Sequence, residues 1–366
     1  MVPHKSGRIA RQAHVDLPQG TFEEEHGRQG FFGHVSHLYR THAPTNWARI
    51  NGPLQPHAYD LNMATATAAE RPQPFLGNLD VRLWIYSPTK PMPHFARNAD
   101  GDECWFIHEG KGLLETDYGP LKYRKGDYLV VPRGTTYRFY PEGAGQFYLL
   151  IESMSELSIP DRGQLGRNAF YDPGVIEIPE AKPSTAPATA GKEWEVVIKR
   201  ENEFTSVFYP HNPLDVEGWK GDLFSWRLNI EDIRPIVSPR YHLPPSVHTT
   251  LIADGFVLCT FAPRPAETED PKAMRVPFFH TNIEYDEVIF YHDGDFFSRT
   301  NIKPGMVTFH PQGIHHGPHP KALENQLKKE YLQEYAVMID TYRPLKPFEL
   351  AKKSEVAAYK DSWKTT

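Results

Sequence analysis

The chain has 366 residues, only 39% of them hydrophobic but 13% aromatic, with 34 prolines and 26 glycines; that mix predicts an all-β protein rich in turns, as one large or two ordinary domains. A formal net charge of −6 leaves no basic footprint for nucleic acid, and the chain has neither an apolar run of about 18 residues to cross a membrane nor a signal-peptide core. Cys104 and Cys259 sit in apolar strand-like runs and read as buried free thiols, which suits a reducing, cytoplasmic setting.

Residues 1–78 read as an N-terminal arm and loops. The first 40 are polar and His-rich, an irregular arm for packing on the body or on a neighbouring subunit of a homo-oligomer; Pro44, Pro53, Pro56, Pro72 and Pro74 then discourage long helices. Strands begin at Val81-Arg-Leu-Trp-Ile-Tyr86. Residues 96–110 align without a gap on residues 280–294: Asn98 with Asn282, Asp102 with Asp286, Glu103 with Glu287, His108 with His292, Gly110 with Gly294. Further on, Gly126, Pro132, Gly134 and Tyr137 match Gly305, Pro311, Gly313 and His316. An internal repeat is strong evidence about architecture. It predicts two similar β-barrels, over residues 79–160 and 194–345. A crossing segment at 161–193 includes the low-complexity stretch Lys182–Gly191. Residues 346–366 carry helical spacing, with Leu350, Val356, Tyr359 and Trp363 near one face.

The second copy carries the chemistry. His280, Glu287 and His316 lie on or beside short strands, Val288–Tyr291 and Met306–Phe309, that an antiparallel pairing would bring together. Two imidazoles and one carboxylate on one side of a metal leave other positions open, the ligand choice of non-haem Fe(II) oxygenases. In the first copy the same positions hold Ala96, Glu103 and Tyr137, so that barrel is expected to be metal-free, with His94 a distant recruit. The spacing resembles the two motifs of the cupin superfamily: His280, Glu287 and Gly294, then Gly305, Pro311, Gly313 and His316. Asn282 stands where cupins usually carry a second histidine. The fold expected is therefore all-β, two cupin jelly-roll barrels in one chain, with an N-terminal arm and a C-terminal helix.

Over most of its length the chain also resembles the homogentisate 1,2-dioxygenase family of two-domain cupins. The stretches that carry the likeness are Leu17–Gly20, His37–Arg40, Leu129–Gly134, Asp161–Asn168, Asn212–Gly221, Arg275–Asn282 and His310–Pro318, in the family's order. The resemblance implies an Fe(II)-dependent enzyme that opens the ring of a small dihydroxyaromatic substrate with O2, and the iron ligands carry over onto His280, Glu287 and His316. Glu287 is one residue further from His280 than in typical members, so Asp286 and Glu284 stay open as substitutes. His310 matches a histidine near the substrate and takes the proton or hydrogen-bond role; His315 is a further pocket candidate. Asn282 would orient His280 or the substrate.

Three departures mark the site. The family's proposed base histidine is Lys220 here, a better anion partner than base. Two tyrosines that touch the substrate's acidic tail become Phe278 or Phe279, and Phe296, which cannot donate a hydrogen bond. Arg275, Arg299 or Lys220 would then hold the tail, or the substrate has a less polar substituent. Two other readings stay open: a metal-dependent cupin isomerase or hydrolase, and a non-catalytic binding cupin.

Overall fold

Asp102–Glu109 is a strand buried on both faces because its alternate residues feed two cores. Trp105 and Ile107 pack with Trp84, Leu129, Phe139 and Tyr148. Cys104 and Phe106 pack with Leu83, Val130, Val288, Phe290 and Val337. A continuous apolar run suits a strand between two layers. In the computed structural model, which describes residues 4–66, 70–275 and 277–364 (backbone only for Phe32, Thr65 and Ala66), this strand lies within a seven-stranded sheet. A six-stranded sheet covers one face of it, contributing Leu114, Tyr123, Tyr137 and Phe139 to the shared core.

The C-terminal half repeats the arrangement. Asp286–Gly294 pairs with Met306–His310 on one side and Glu334–Thr341 on the other, as Asp102–Glu109 pairs with Asp127–Val131 and Phe147–Ser153. Equivalent residues do equivalent work. Asp102 accepts the backbone N–H groups of Arg133 and Leu157 at 2.8 and 2.9 Å; Asp286 accepts those of Gln312 and Leu345 at 2.7 and 2.6 Å. Gly294, at φ +103°, has the Gln333 carbonyl oxygen 1.9 Å from where a Cβ would stand, so only glycine fits. The two halves pack back to back. Phe106 meets Phe290 at 6.3 Å, and His108 meets His292 through an Nδ1···Nδ1 hydrogen bond of 2.8 Å. Each pair consists of matched repeat positions, so a pseudo-twofold axis runs between the halves.

Several expectations need correction. The chain is all-β, but two closed cupin barrels do not form: among the described residues no sheet closes on itself. The six-stranded C-terminal sheet has Thr249–Ala253 and His57–Asp60 as separate edges. The strand Phe279–Asn282, needed for a second layer, pairs instead in parallel with Phe22–Gln29. The motifs specify which residues lie on strands, whereas closure needs an unbroken ladder from first strand to last.

The arm is not irregular. Phe22–Gln29 and Phe32–Arg40 form an antiparallel hairpin; its alternation is masked because Glu23 and Glu24 are buried in polar contacts. Edge strands also cross between halves. His57–Asp60 pairs with Met306–His310, Trp226–Asn229 with Asp127–Val131, and Trp194–Arg200 with Phe95–Asn98.

The C-terminal helix shrinks to Glu349–Ser354 and a turn at Tyr359–Asp361; the expected helix's last two residues, Thr365 and Thr366, lie outside the described part. The open edge of His57–Asp60 captures the segment between them. Tyr59 bridges Glu355, and Val356 donates its N–H to the Ala58 carbonyl at 2.8 Å. Backbone pairing to an unsatisfied edge outcompetes a short helix. Both cysteines are buried and free.

Candidate metal centre

His280, Glu287 and His316 converge, although His280 and Glu287 come from different sheets. His280 and His316 exchange backbone hydrogen bonds of 2.9 and 3.0 Å in an isolated bridge. That bridge carries the loop after Met306–His310 onto the His280 strand, and it puts the two rings 3.9 Å apart. The Oε2 of Glu287 lies 3.3 Å from the Nε2 of His280 and 3.5 Å from that of His316. Such separations are edges of a coordination polyhedron with metal–ligand bonds of about 2.0–2.2 Å.

The tautomers suit the task. The Nδ1 of His280 faces the Phe278 carbonyl at 3.2 Å, and that of His316 faces the Ile314 carbonyl at 3.1 Å. Each Nδ1–H donates there, leaving the Nε2 lone pair aimed inward. The Nε2 of His316 is buried with no hydrogen-bond partner. Burial alone would raise the Glu287 carboxyl, but His316, His280 and His310 hold it well below the ordinary value. Burial, then His280, lowers His316. A buried carboxylate facing inward lone pairs, one of them without a partner, is a donor set that a divalent cation satisfies.

His310 is placed behind this set. Its Nδ1 lies 2.8 Å from the Oε1 of Glu287 and its Nε2 3.0 Å from the Tyr359 hydroxyl. Its ring stacks on His316 at 4.4 Å. Burial, then His316, lowers its pKa to about 3, so the neutral ring donates one N–H to Glu287 and accepts from Tyr359. Both nitrogens are engaged, and His310 orients the Glu287 carboxylate.

The other candidates divide. Asn282 is buried on the face of its strand shared with His280, and its Nδ2 is unpaired. Arg299 is buried, donates Nη1 to the Gly317 carbonyl at 2.8 Å, and keeps its Nε unpaired. Phe296 packs on Tyr291 at 4.8 Å. Phe279 points to the opposite face from His280, against Phe22, whereas Phe278 faces the His280 ring at 5.6 Å. His315 also turns away, with its Nδ1 on Glu24 and 2.7 Å from the Thr281 hydroxyl. Arg275 donates Nη1 to the carbonyls of Leu327 and Lys329. Lys220 is exposed, on a loop whose Trp219 is anchored to the Tyr118 carbonyl in the N-terminal half, and it is not brought to the cluster. Glu284 pairs with Arg28 and Asp286 caps two backbone N–H groups, so neither competes with Glu287.

Other residues at the centre escape sequence reading. Asp340 lies opposite Glu287 in the ladder, its pKa raised well above the usual range by burial and by Glu287. Its counterpart across Glu103 is Glu152, the one signal that could have found it. Phe31, from the hairpin turn, meets His280 at 5.1 Å. At the equivalent place in the first half, Glu103 and Glu152 share the Asn98 amide, and the Lys199 ammonium pairs with Glu152.

Fold and site together define an all-β protein with a buried set of two histidines and one carboxylate able to hold a divalent metal. The family model for the homogentisate 1,2-dioxygenase N-terminal region matches residues 18–230. A protein of Saccharolobus solfataricus named a putative dioxygenase is 31% identical, over 99% of each chain. The homogentisate 1,2-dioxygenase of Nitrobacter hamburgensis is 28% identical over 76% of this chain, and that of Pseudomonas putida 25% over 78%. The chain spans 65% of the length of the former and 67% of the latter. A solved cupin 2 conserved barrel domain protein from Leptotrichia buccalis aligns over 78% of this chain and 96% of its own at 9% identity, with a TM-score of 0.34, too low to bear on the fold. This chain belongs to the homogentisate 1,2-dioxygenase family.

Proposed function

We propose that the protein is an Fe(II)-dependent dioxygenase that opens the ring of a dihydroxyaromatic acid, with His280, Glu287 and His316 as the iron ligands. The observation that carries this reading is the convergence of those three groups, with both Nε2 atoms inward and His316 Nε2 unpartnered. Bound there, Fe(II) would supply coordination positions at which a phenolate and O2 can meet. The chain's own residues do the rest. His310 holds the Glu287 carboxylate in one orientation. Phe31 and Phe278 flank His280 and exclude water from that side. Asn282 offers an unpaired amide donor on the His280 face.

Arg299 is the group suited to the acidic tail. It is buried and makes no direct ion pair among the described residues, although Tyr291, Tyr359, Glu287 and Glu334 favour its charged form. Its unpaired Nε leaves a donor for a ligand carboxylate. It replaces the tyrosine contacts that Phe278 and Phe296 cannot make.

The test is oxygen uptake by Fe(II)-loaded protein with homogentisate, gentisate and plain hydroquinone. Stoichiometric uptake with both oxygen atoms in a ring-opened product is expected, and turnover without oxygen would sink the reading. For Arg299→Gln, KM should rise at least tenfold for an acid substrate with little change for hydroquinone. An equal rise for both would remove Arg299 from the tail site.

A further inference from the structure

The N-terminal hairpin carries a second convergence of ligands. Glu25 and His37 are directly opposite in its ladder, and Glu23 is two residues from Glu25 on the same face. His14 reaches this face from the preceding turn. Its Nδ1 lies 3.4 Å from the Oε1 of Glu23, and the Nε2 of His37 lies 3.7 Å from that same oxygen. The Oε2 of Glu25 is 3.3 Å from the Nε2 of His37. As at the first centre, these distances are polyhedron edges for bonds of about 2.0–2.2 Å.

Independent features point to a ligand. The side chain of His14 is 6% exposed, and its Nδ1 has no hydrogen-bond partner although it faces Glu23. The Nε2 of His37 is likewise buried and unpartnered. His14 also sits at φ +65°, an uncommon conformation for a non-glycine residue, held by its N–H to Glu23 at 3.0 Å and its carbonyl to Met274 N–H at 2.9 Å. The turn thus presents the Nδ1 of this imidazole to Glu23, while its Nε2 lies 3.8 Å from Glu25.

We propose that His14, Glu23 and His37 bind a second divalent metal of the zinc type. Three protein ligands drawn from the hairpin and from the turn before it would tie the two together, a structural role. Its place suits that role. Glu25 is in register with His280 across the parallel strand pair. His14 stacks on Phe278 at 4.2 Å, and Phe278 in turn faces His280. The ion would pin the hairpin and the His14 turn to the strand that carries the first ligand of the other centre. His242 lies 5.8 Å from the Phe278 ring and is held at 3.0 Å by Glu267, outside the set.

The inference does not depend on the proposed chemistry, and metal stoichiometry separates the two. Chelator-stripped protein is loaded with Zn2+, passed through a desalting column and assayed for bound metal. The full chain should retain about two equivalents. His316→Ala combined with Glu287→Gln should retain one, and Glu23→Gln combined with His37→Gln should also retain one. One equivalent in the unaltered chain that is lost from the variant lacking the first centre, or two equivalents in the hairpin variant, would overturn the proposal. Should the hairpin variant not fold, the variant lacking the first centre decides: one equivalent supports the second site and none refutes it.

Discussion

His310 shows how a side chain's partners decide its role. A histidine close to a metal invites the reading of a general base, but here one nitrogen is on the Glu287 carboxylate and the other on the Tyr359 hydroxyl. A residue that orients a ligand should affect metal retention before it affects turnover of loaded enzyme. His310→Ala is therefore expected to weaken Fe(II) or Zn2+ binding by about 10- to 100-fold, measured by competition with a chelator. A variant with unchanged metal affinity but a lost alkaline or acidic limb in its rate profile would return His310 to the base role. The acidic residues beside Glu287 follow the same logic. Asp286 caps two turns just as Asp102 does in the other half, so its position in the motif reflects folding.

Among the elements, the C-terminal segment departs furthest from its expected form and matters most to the site. Trp363 is 1% exposed and packs against His319, Trp47 and Tyr359 with ring distances of 4.4, 5.6 and 5.2 Å. Its Nε1 donates to the Gly317 carbonyl at 3.1 Å, directly after His316. The segment is a cap that braces the ligand loop. Trp363→Ala is expected to cost about 3–5 kcal/mol of stability, read from denaturant melts, and to lower metal affinity with it. A loss below about 1 kcal/mol would mean the cap is dispensable. The hairpin Phe22–Arg40 braces the opposite side through its parallel pairing to Phe279–Asn282.

For the whole molecule, the join between halves is one of the points sensitive to acid. His108 and His292 are buried at the pseudo-twofold axis, each pushed down to about 3, His108 by burial and then by its partner, His292 by burial and then by Lys125. One donates and the other accepts, so the acceptor cannot take a proton at its Nδ1 without breaking the pair, and burial disfavours a charge on either ring. In the unfolded chain each titrates near 6.5. Between about 6.5 and 3 the unfolded state therefore binds more protons than the folded one, and stability falls as pH falls through that window. Thermal melts from pH 7.5 to 4.5 should show this loss, and His108→Gln combined with His292→Gln should lessen its slope, the other buried histidines keeping the rest. An unchanged slope in that variant would place the acid-sensitive groups elsewhere.

The sequence by itself determined the all-β character, the internal repeat, the family and three residues that converge into a set able to hold a metal, because each follows from residue type and local spacing. Strand runs, special glycines and a shared register survive whatever the chain does at long range. The tertiary structure alone decided what the ladders connect: a polar arm that folds into a hairpin on the His280 strand, edge strands exchanged between halves, sheets that stay open and a C-terminal segment that caps rather than continues as a helix. It also decided which groups face the centre, bringing in Asp340 and Phe31 and turning away His315, Phe279 and Lys220. Those outcomes depend on pairing between residues up to about three hundred positions apart, where backbone hydrogen bonds and burial choose the partner and no local pattern records the choice.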